Sequence, residues 1–256
     1  MRFSARLLLP LLLCALVPTA AHAQSPEGPL LPVIDPKIGI PHGQVRLGYY
    51  PTTHTFHYQG EYTVAASFAH VNGSSLYAFA DVDVEAGQDA QHSTFRPQRL
   101  VGTFEVGATQ FLGVRPLSLL VRHESAHYID RQDLFQGSWD MVALRYQERV
   151  GRTNLAVTLA NYVHVHQLAS EYKNDADIQG ETDLGATRGH KISLRTDLHI
   201  ASGHGGRGGF ADYWIEPSLA LSPQTAVFVG FGQITDTNFS AANTDHPVIA
   251  GLRLNY

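Results

Sequence analysis

Hydrophobic and polar residues alternate along most of the chain after residue 44. In the C-terminal stretch HPVIAGLRLNY, Leu252 and Leu254 occupy one parity and Arg253 and Asn255 the other, with Ile249 as an exception. The same period of two runs through KISLRTDLHI, LYAFADVDVE and NLAVTLANYVHVH. Side chains point to opposite faces of a strand at every second residue, so each stretch predicts a strand with one apolar and one polar face.

The alternating stretches predict eleven strands. They span residues 44–52, 57–69, 75–86, 99–111, 116–128, 139–149, 153–166, 188–201, 210–221, 224–233 and 246–256. A bacterial barrel has an even number of strands, so either residues 44–52 form no strand, giving ten, or a further strand lies within 167–187, giving twelve. We favour twelve, because the short turns GVRP and VGRT then face the periplasm and segment 129–138 is extracellular.

The N-terminal residues have the pattern of a secretory signal peptide. Arg2 and Arg6 precede an apolar run at 7–17, and Ala-His-Ala at 21–23 is a small-residue cleavage site. We therefore expect a signal peptide at 1–23, a proline-rich periplasmic lead-in at 24–43 and a barrel at 44–256. The chain's single cysteine would leave with the signal peptide, which excludes disulfides and thiol catalysis.

Together these patterns predict an all-β fold, a closed antiparallel transmembrane β-barrel of 10–12 strands in the bacterial outer membrane. A soluble sandwich also alternates, but it rarely needs so many long strands, and lipid requires a closed sheet. A last strand that ends on an aromatic residue, here Tyr256, resembles outer-membrane barrels, whose assembly machinery reads that strand. The charged residues expected in the lumen are Arg99, Glu105, Arg122, Glu124, Arg145, Arg149, Arg195 and Asp197.

Composition excludes several other classes of function. The formal net charge of -5 gives no indication of nucleic acid binding, and the sequence contains no phosphate-binding, dinucleotide-binding or HExxH motif. The glycine-rich stretch SGHGGRGG matches none of these motifs and is interpreted as a loop. We expect no cofactor. The expected partners are outer-membrane lipids and, through the C-terminal strand, the outer-membrane assembly machinery.

The stretch VRHESAHYID, Val121 to Asp130, contains two histidines, a serine, an arginine and two carboxylates within ten residues. Continuing the lipid-facing parity of its strand by twos brings His123 and Ser125 onto the outer face, where polar groups are costly. In the next strand, SWDMVALRYQERV, the same parity reaches Asp140. If the hairpin is symmetric about its loop, Asp140 lies roughly opposite Ser125. A serine, a histidine and a carboxylate would then meet as nucleophile, base and orienting acid.

The segment RHES resembles the His-x-Ser-Asn motif of the lipid A 3-O-deacylases, small outer-membrane barrels whose histidine and serine face outward. The resemblance implies that His123 is the base, Ser125 the nucleophile and Asp140 the acid. Ala126 stands where that family has asparagine, the family's carboxylate is usually glutamate, and those barrels have eight strands. HESAHYID is also similar to a His-x-Ser-x-His-x-x-Asp stretch in a family of uncharacterised outer-membrane proteins.

Two function classes therefore remain open. One is a hydrolase that acts on ester-linked acyl chains of lipid A or phospholipid; the other is a non-enzymatic barrel, either a narrow pore or a structural protein. No metal site is expected: His123 and His127 are four residues apart on a strand, too far to share an ion unless the strand bends. His164 and His166 are assigned to the lumen, where histidines more often join polar networks than bind metals.

Overall fold

The computed structural model describes residues 42–51, 57–88, 95–129, 137–166, 172–203, 210–233 and 248–256. Within these ranges the chain forms twelve β-strands. They are β1 (His42–Tyr49), β2 (Tyr58–Val71), β3 (Ser74–Gln88), β4 (Phe95–Leu112), β5 (Arg115–Tyr128), β6 (Gly137–Val150), β7 (Thr153–His166), β8 (Tyr172–Thr187), β9 (His190–Gly203), β10 (Phe210–Ala220), β11 (Thr225–Gln233) and β12 (Val248–Asn255). The predicted signal peptide and lead-in lie outside the described residues, apart from the last two lead-in residues at the start of β1.

Each strand pairs antiparallel with its neighbour in sequence, and β1 pairs with β12 to close the barrel. The predicted closed antiparallel fold and the preferred count of twelve are confirmed. The strand missing from the alternation is β8, whose outer face carries small or polar residues such as Asn174, Ala176 and Gly180. None of the described residues forms a helix long and apolar enough to cross a membrane.

The outer face of the barrel is apolar. Leu119 on β5, Leu144 on β6 and Leu159 on β7 lie side by side in the pairing register, and each is more than half exposed. The opposite parity points inward and carries the buried charges, including Arg195, which was predicted to face the lumen. An apolar outer belt around a closed sheet with a polar interior is the arrangement of a membrane-spanning barrel.

The two ends of the barrel differ in how the strands are connected. One end has tight turns: Asn72 and Gly73 between β2 and β3, and Arg188 and Gly189 between β8 and β9, all adopt positive φ. This is the type I′ geometry, which matches the twist of paired strands. β1 begins and β12 ends at this same end. The longer connections join the strands at the opposite end, which we call the long-loop end.

The interior of β4, β5 and β6 is held by ion pairs between buried groups. Glu105 accepts hydrogen bonds from Arg122 Nε at 2.7 Å and from Arg145 at 2.6 and 2.8 Å. Glu105 is completely buried and the two arginines are nearly so. Arg149, also predicted to face the lumen, is instead exposed beside the β6–β7 turn, where its Nε donates to the Gly151 carbonyl.

Candidate functional site

The centre of the candidate site is a contact between His123 and Asp140 on the outer face. The two residues are directly opposite in the β5–β6 register, and His123 Nδ1 donates to Asp140 Oδ1 at 2.7 Å. Their side chains are 48% and 41% exposed. The expectation that Asp140 lies opposite Ser125 is wrong by two residues, because the hairpin is not symmetric about its connection. A shift of two preserves the face, so the carboxylate meets the predicted base directly.

Ser125 lies on the same outer face, two residues beyond His123 towards the long-loop end. Its cross-strand partners are Gly102 on β4 and Ser138 on β6. Within the described part of the chain, the Ser125 hydroxyl makes no side-chain hydrogen bond. The structure therefore shows Ser125 and His123 on one face of β5 without a hydrogen bond between their side chains.

A second histidine approaches the same carboxylate from β7. His164 Nδ1 is 3.4 Å from Asp140 Oδ2, and the His164 side chain is 63% exposed. The expectation that His164 faces the lumen is therefore wrong. The cause is a β-bulge: Asp140 pairs with His164 and Met141 with Tyr162, so Val163 is the extra residue. The bulge reverses the parity beyond it and turns His164 outward.

The inner faces of the same strands are packed, which fixes the backbone that carries the site. Trp139 and Met141, on either side of Asp140, are 0% and 1% exposed and belong to an interior hydrophobic cluster. Arg122, next to His123, points inward to Glu105. Side chains that are packed or bonded on the inner face hold the outward side chains on rigid strands, as a preorganised site requires.

Ala126 and Arg122 offer no side-chain donor for an oxyanion on the outer face. Ala126 is buried and faces inward, and Arg122 is bound to Glu105. Neither side chain reaches the outer face. The hydroxyl of Ser138, directly opposite Ser125, is the nearest polar group by register, since opposed residues have Cβ atoms about 4.5–5.5 Å apart. The sequence alone did not indicate that Ser138 lies opposite Ser125, because the expected register was wrong.

Gly102 leaves open space beside the serine. A Cβ placed there would have Ser125 Oγ as its only neighbour within 4 Å, at 3.7 Å. Neither a positive φ nor close packing demands glycine at this position. On the same face of β4, the ring of Phe104 is half exposed. The outer surface beside Ser125 is therefore a shallow gap next to an aromatic side chain.

Among the residues that the structure describes, no group of three or more histidine, cysteine, aspartate or glutamate side chains could hold a metal ion. Instead, Asp140 contacts the two histidines directly. A carboxylate that accepts from the Nδ1 of a histidine leaves Nε2 of that ring to exchange protons with another group, which is the arrangement of a general base.

The fold is similar to that of solved outer-membrane barrels. No protein-family model and no curated protein matches the sequence. Among solved structures, outer membrane phospholipase A from Escherichia coli aligns over 84% of this chain and 92% of its own, with a TM-score of 0.58 and 12% identity. The Salmonella typhi outer membrane phospholipase aligns over 84% and 90%, with a TM-score of 0.60 and 10% identity.

A porin has a similar fold as well. The KdgM porin aligns over 84% of this chain and 99% of its own, with a TM-score of 0.50 and 11% identity. At these identities the likeness establishes the fold, an outer-membrane β-barrel, and leaves the activity open. The predicted fold and the predicted location in the bacterial outer membrane agree with all three neighbours.

Proposed function

We propose that this chain is an outer-membrane hydrolase that cleaves ester-linked acyl chains of lipid A or phospholipid at the lipid-facing surface of the barrel. The observation that carries the proposal is the 2.7 Å contact between His123 and Asp140 on the outer face, two residues from Ser125 on the same strand. Charged groups on that face cost free energy. Polar groups that only stabilise the barrel can lie in the lumen. A hydrolase that acts on membrane lipids needs its polar groups on the outer face, where the lipids are.

In the proposed reaction, His123 Nε2 takes the hydroxyl proton while Ser125 Oγ attacks the ester carbonyl. The tetrahedral intermediate collapses to an acyl-serine, and the proton passes from His123 to the departing alcohol oxygen. Water then attacks the acyl-serine, His123 removes its proton, and the fatty acid leaves as Ser125 regains its hydrogen. Asp140 holds the His123 ring through Nδ1 and stabilises the imidazolium that forms twice in this cycle.

The position of the site suits a lipid ester. Ser125 lies three residues before the end of β5 and Asp140 three residues after the start of β6. Both are therefore close to the long-loop end, and long loops are extracellular in bacterial barrels. An acyl chain could lie along the apolar belt while its ester group reaches Ser125 near the headgroup level. Two of the solved neighbours are named phospholipases, which favours a phospholipid or another acylated lipid.

The second candidate is a non-enzymatic structural barrel. The observation that favours it is the interior, where buried charges of opposite sign are bonded across the strands. Arg46 bridges Glu61 on β2 and Glu216 on β10, and Glu105 bridges Arg122 and Arg145. Such cross-links close a lumen rather than line an ion-selective pore. An interior of this kind is equally compatible with an enzyme whose site lies on the outside.

The test is to express the protein in a host that lacks its own outer-membrane deacylases and acylhydrolases, and to record lipid A and phospholipid masses. We expect a fatty acid to be lost from one of these lipids with the intact protein and none with Ser125→Ala. Heat-modifiable migration would verify that both barrels are assembled. Identical lipid profiles for the intact protein and the empty host would contradict the proposal and favour the structural barrel.

A further inference from the structure

We infer that His164 is a positioning residue of the hydrolase: it holds the second carboxylate oxygen of Asp140, so that the first stays on His123. This inference rests on the proposed function and adds a fourth member to its site. The geometry is a carboxylate shared by two histidines on neighbouring strands, with Oδ1 at 2.7 Å from His123 Nδ1 and Oδ2 at 3.4 Å from His164 Nδ1.

The bulge at Val163 is the first support. Without the extra residue, Val163 would pair with Asp140 and His164 would point into the barrel. With it, His164 pairs with Asp140 and faces outward, while Val165 turns inward and packs against the interior cluster. Bulges cost ladder hydrogen bonds and occur preferentially beside active sites, where they re-aim a side chain. Here the residue that is re-aimed is the one that meets the candidate acid.

The exposure of Asp140 is the second support. A carboxylate that is 41% exposed on a strand can rotate about its χ angles. Both candidate partners of Asp140 lie on adjoining strands, one on each side of β6, so together they restrict that rotation. With Oδ2 held by His164, Oδ1 remains in line with His123 Nδ1. The His123 ring then keeps Nε2 as its free nitrogen.

Asparagine and leucine provide a matched test at position 164. The amide nitrogen of asparagine occupies nearly the position of histidine Nδ1, and leucine has a similar shape without the donor. We expect His164→Leu to lower kcat about fivefold, the upper end of the range for an exposed histidine–carboxylate contact. KM should be unchanged, because the inferred role of His164 acts through Asp140 alone. His164→Asn should restore most of kcat, an effect that a purely steric role would not produce.

The same substitution at position 123 provides the contrast. His123→Asn keeps a donor near Asp140 but removes Nε2, so we expect it to abolish turnover while His164→Asn retains it. In an Asp140→Asn background, His164→Leu should have no further effect, since it acts through the carboxylate. His127 is another exposed histidine on the same face of β5. His127→Gln therefore serves as the control for removing an exposed imidazole near the end of the strand.

The outcomes separate this inference from the proposed function. The assay is release of fatty acid from phospholipid or lipid A vesicles by purified, refolded barrel. An active protein whose His164→Leu variant has unchanged kcat would overturn the role of His164 and leave the proposed function standing. An equal loss for His164→Asn and His164→Leu would also overturn it. A wild-type barrel that releases no fatty acid from either lipid would overturn both.

Discussion

Asp140 lies directly opposite His123 in the β5–β6 register, and its carboxylate accepts a 2.7 Å hydrogen bond from His123 Nδ1. Both side chains point away from the barrel interior. This histidine–carboxylate hydrogen bond on the outer face interrupts a belt in which leucine and valine otherwise predominate. A polar pair is costly on a lipid-facing surface, and the proposed role of His123 in proton transfer rests on this contact.

Removing the charge of Asp140 should slow the reaction without stopping it. We expect Asp140→Asn to lower kcat at least about tenfold, because the imidazolium loses its counter-charge, and to be less damaging than Ser125→Ala. Adding Asp140→Asn to Ser125→Ala should cause no further loss, since the groups act as a unit. Fatty acid release measured for the two single variants and the double variant tests this. Additive losses would contradict a shared role.

Filling the gap at Gly102 should block the substrate and spare the fold. A Cβ at this position meets only Ser125 Oγ, at an ordinary contact distance of 3.7 Å. Gly102→Ala should therefore assemble and retain much of its activity. Gly102→Val, with two methyl groups beside the serine, should assemble equally well and lose most of its turnover. Equal turnover for the two variants in the vesicle assay would show that the gap is not used.

Much of this architecture could be predicted from the sequence. Period-two alternation in strands such as β9 and β12 predicts the barrel, and parity alone predicts that His123, Ser125 and Asp140 share its outer face. Sequence could not supply the register, because the length of the connection at 129–136 does not fix it. Nor could it reveal the bulge at Val163, which depends on how β6 and β7 pair. The position of His164 follows from that bulge.

The buried ion pairs predict that neutralising a buried glutamate destabilises the barrel more than neutralising a glutamate near its surface. Glu105→Gln leaves Arg122 and Arg145 buried with a weaker partner, and we expect a loss of about 3–5 kcal/mol in the free energy of unfolding. Glu148→Gln removes the charge partner of the exposed Arg115 and leaves an amide oxygen that can still accept from the Tyr146 hydroxyl, so it should cost less than about 1 kcal/mol. Urea titrations of the refolded barrels in lipid vesicles measure both. Similar small losses would argue against a tight interior network.

The apolar belt predicts that the cost of an introduced charge on the outer face depends on its depth in the membrane. Leu144 lies midway along β6 between Leu119 and Leu159, and Leu144→Arg should cost roughly 2–4 kcal/mol if this row lies near the bilayer midplane. Gln110, exposed beside the β4–β5 turn, lies near the interface, and Gln110→Arg should cost at most about 1 kcal/mol. The same urea titrations compare them. Equal losses of stability for the two variants would show that Leu144 does not lie near the bilayer midplane.

The central claim is that Ser125 is a nucleophile activated by His123, and covalent labelling tests it most directly. Assembled barrel in lipid vesicles is incubated with a long-chain alkyl fluorophosphonate, and the intact mass and the modified peptide are determined. We expect one adduct on Ser125, none in Ser125→Ala, and labelling at least about a hundredfold slower in His123→Ala, in line with loss of a general base. An assembled barrel that stays unlabelled, or one labelled equally fast without His123, would contradict the account.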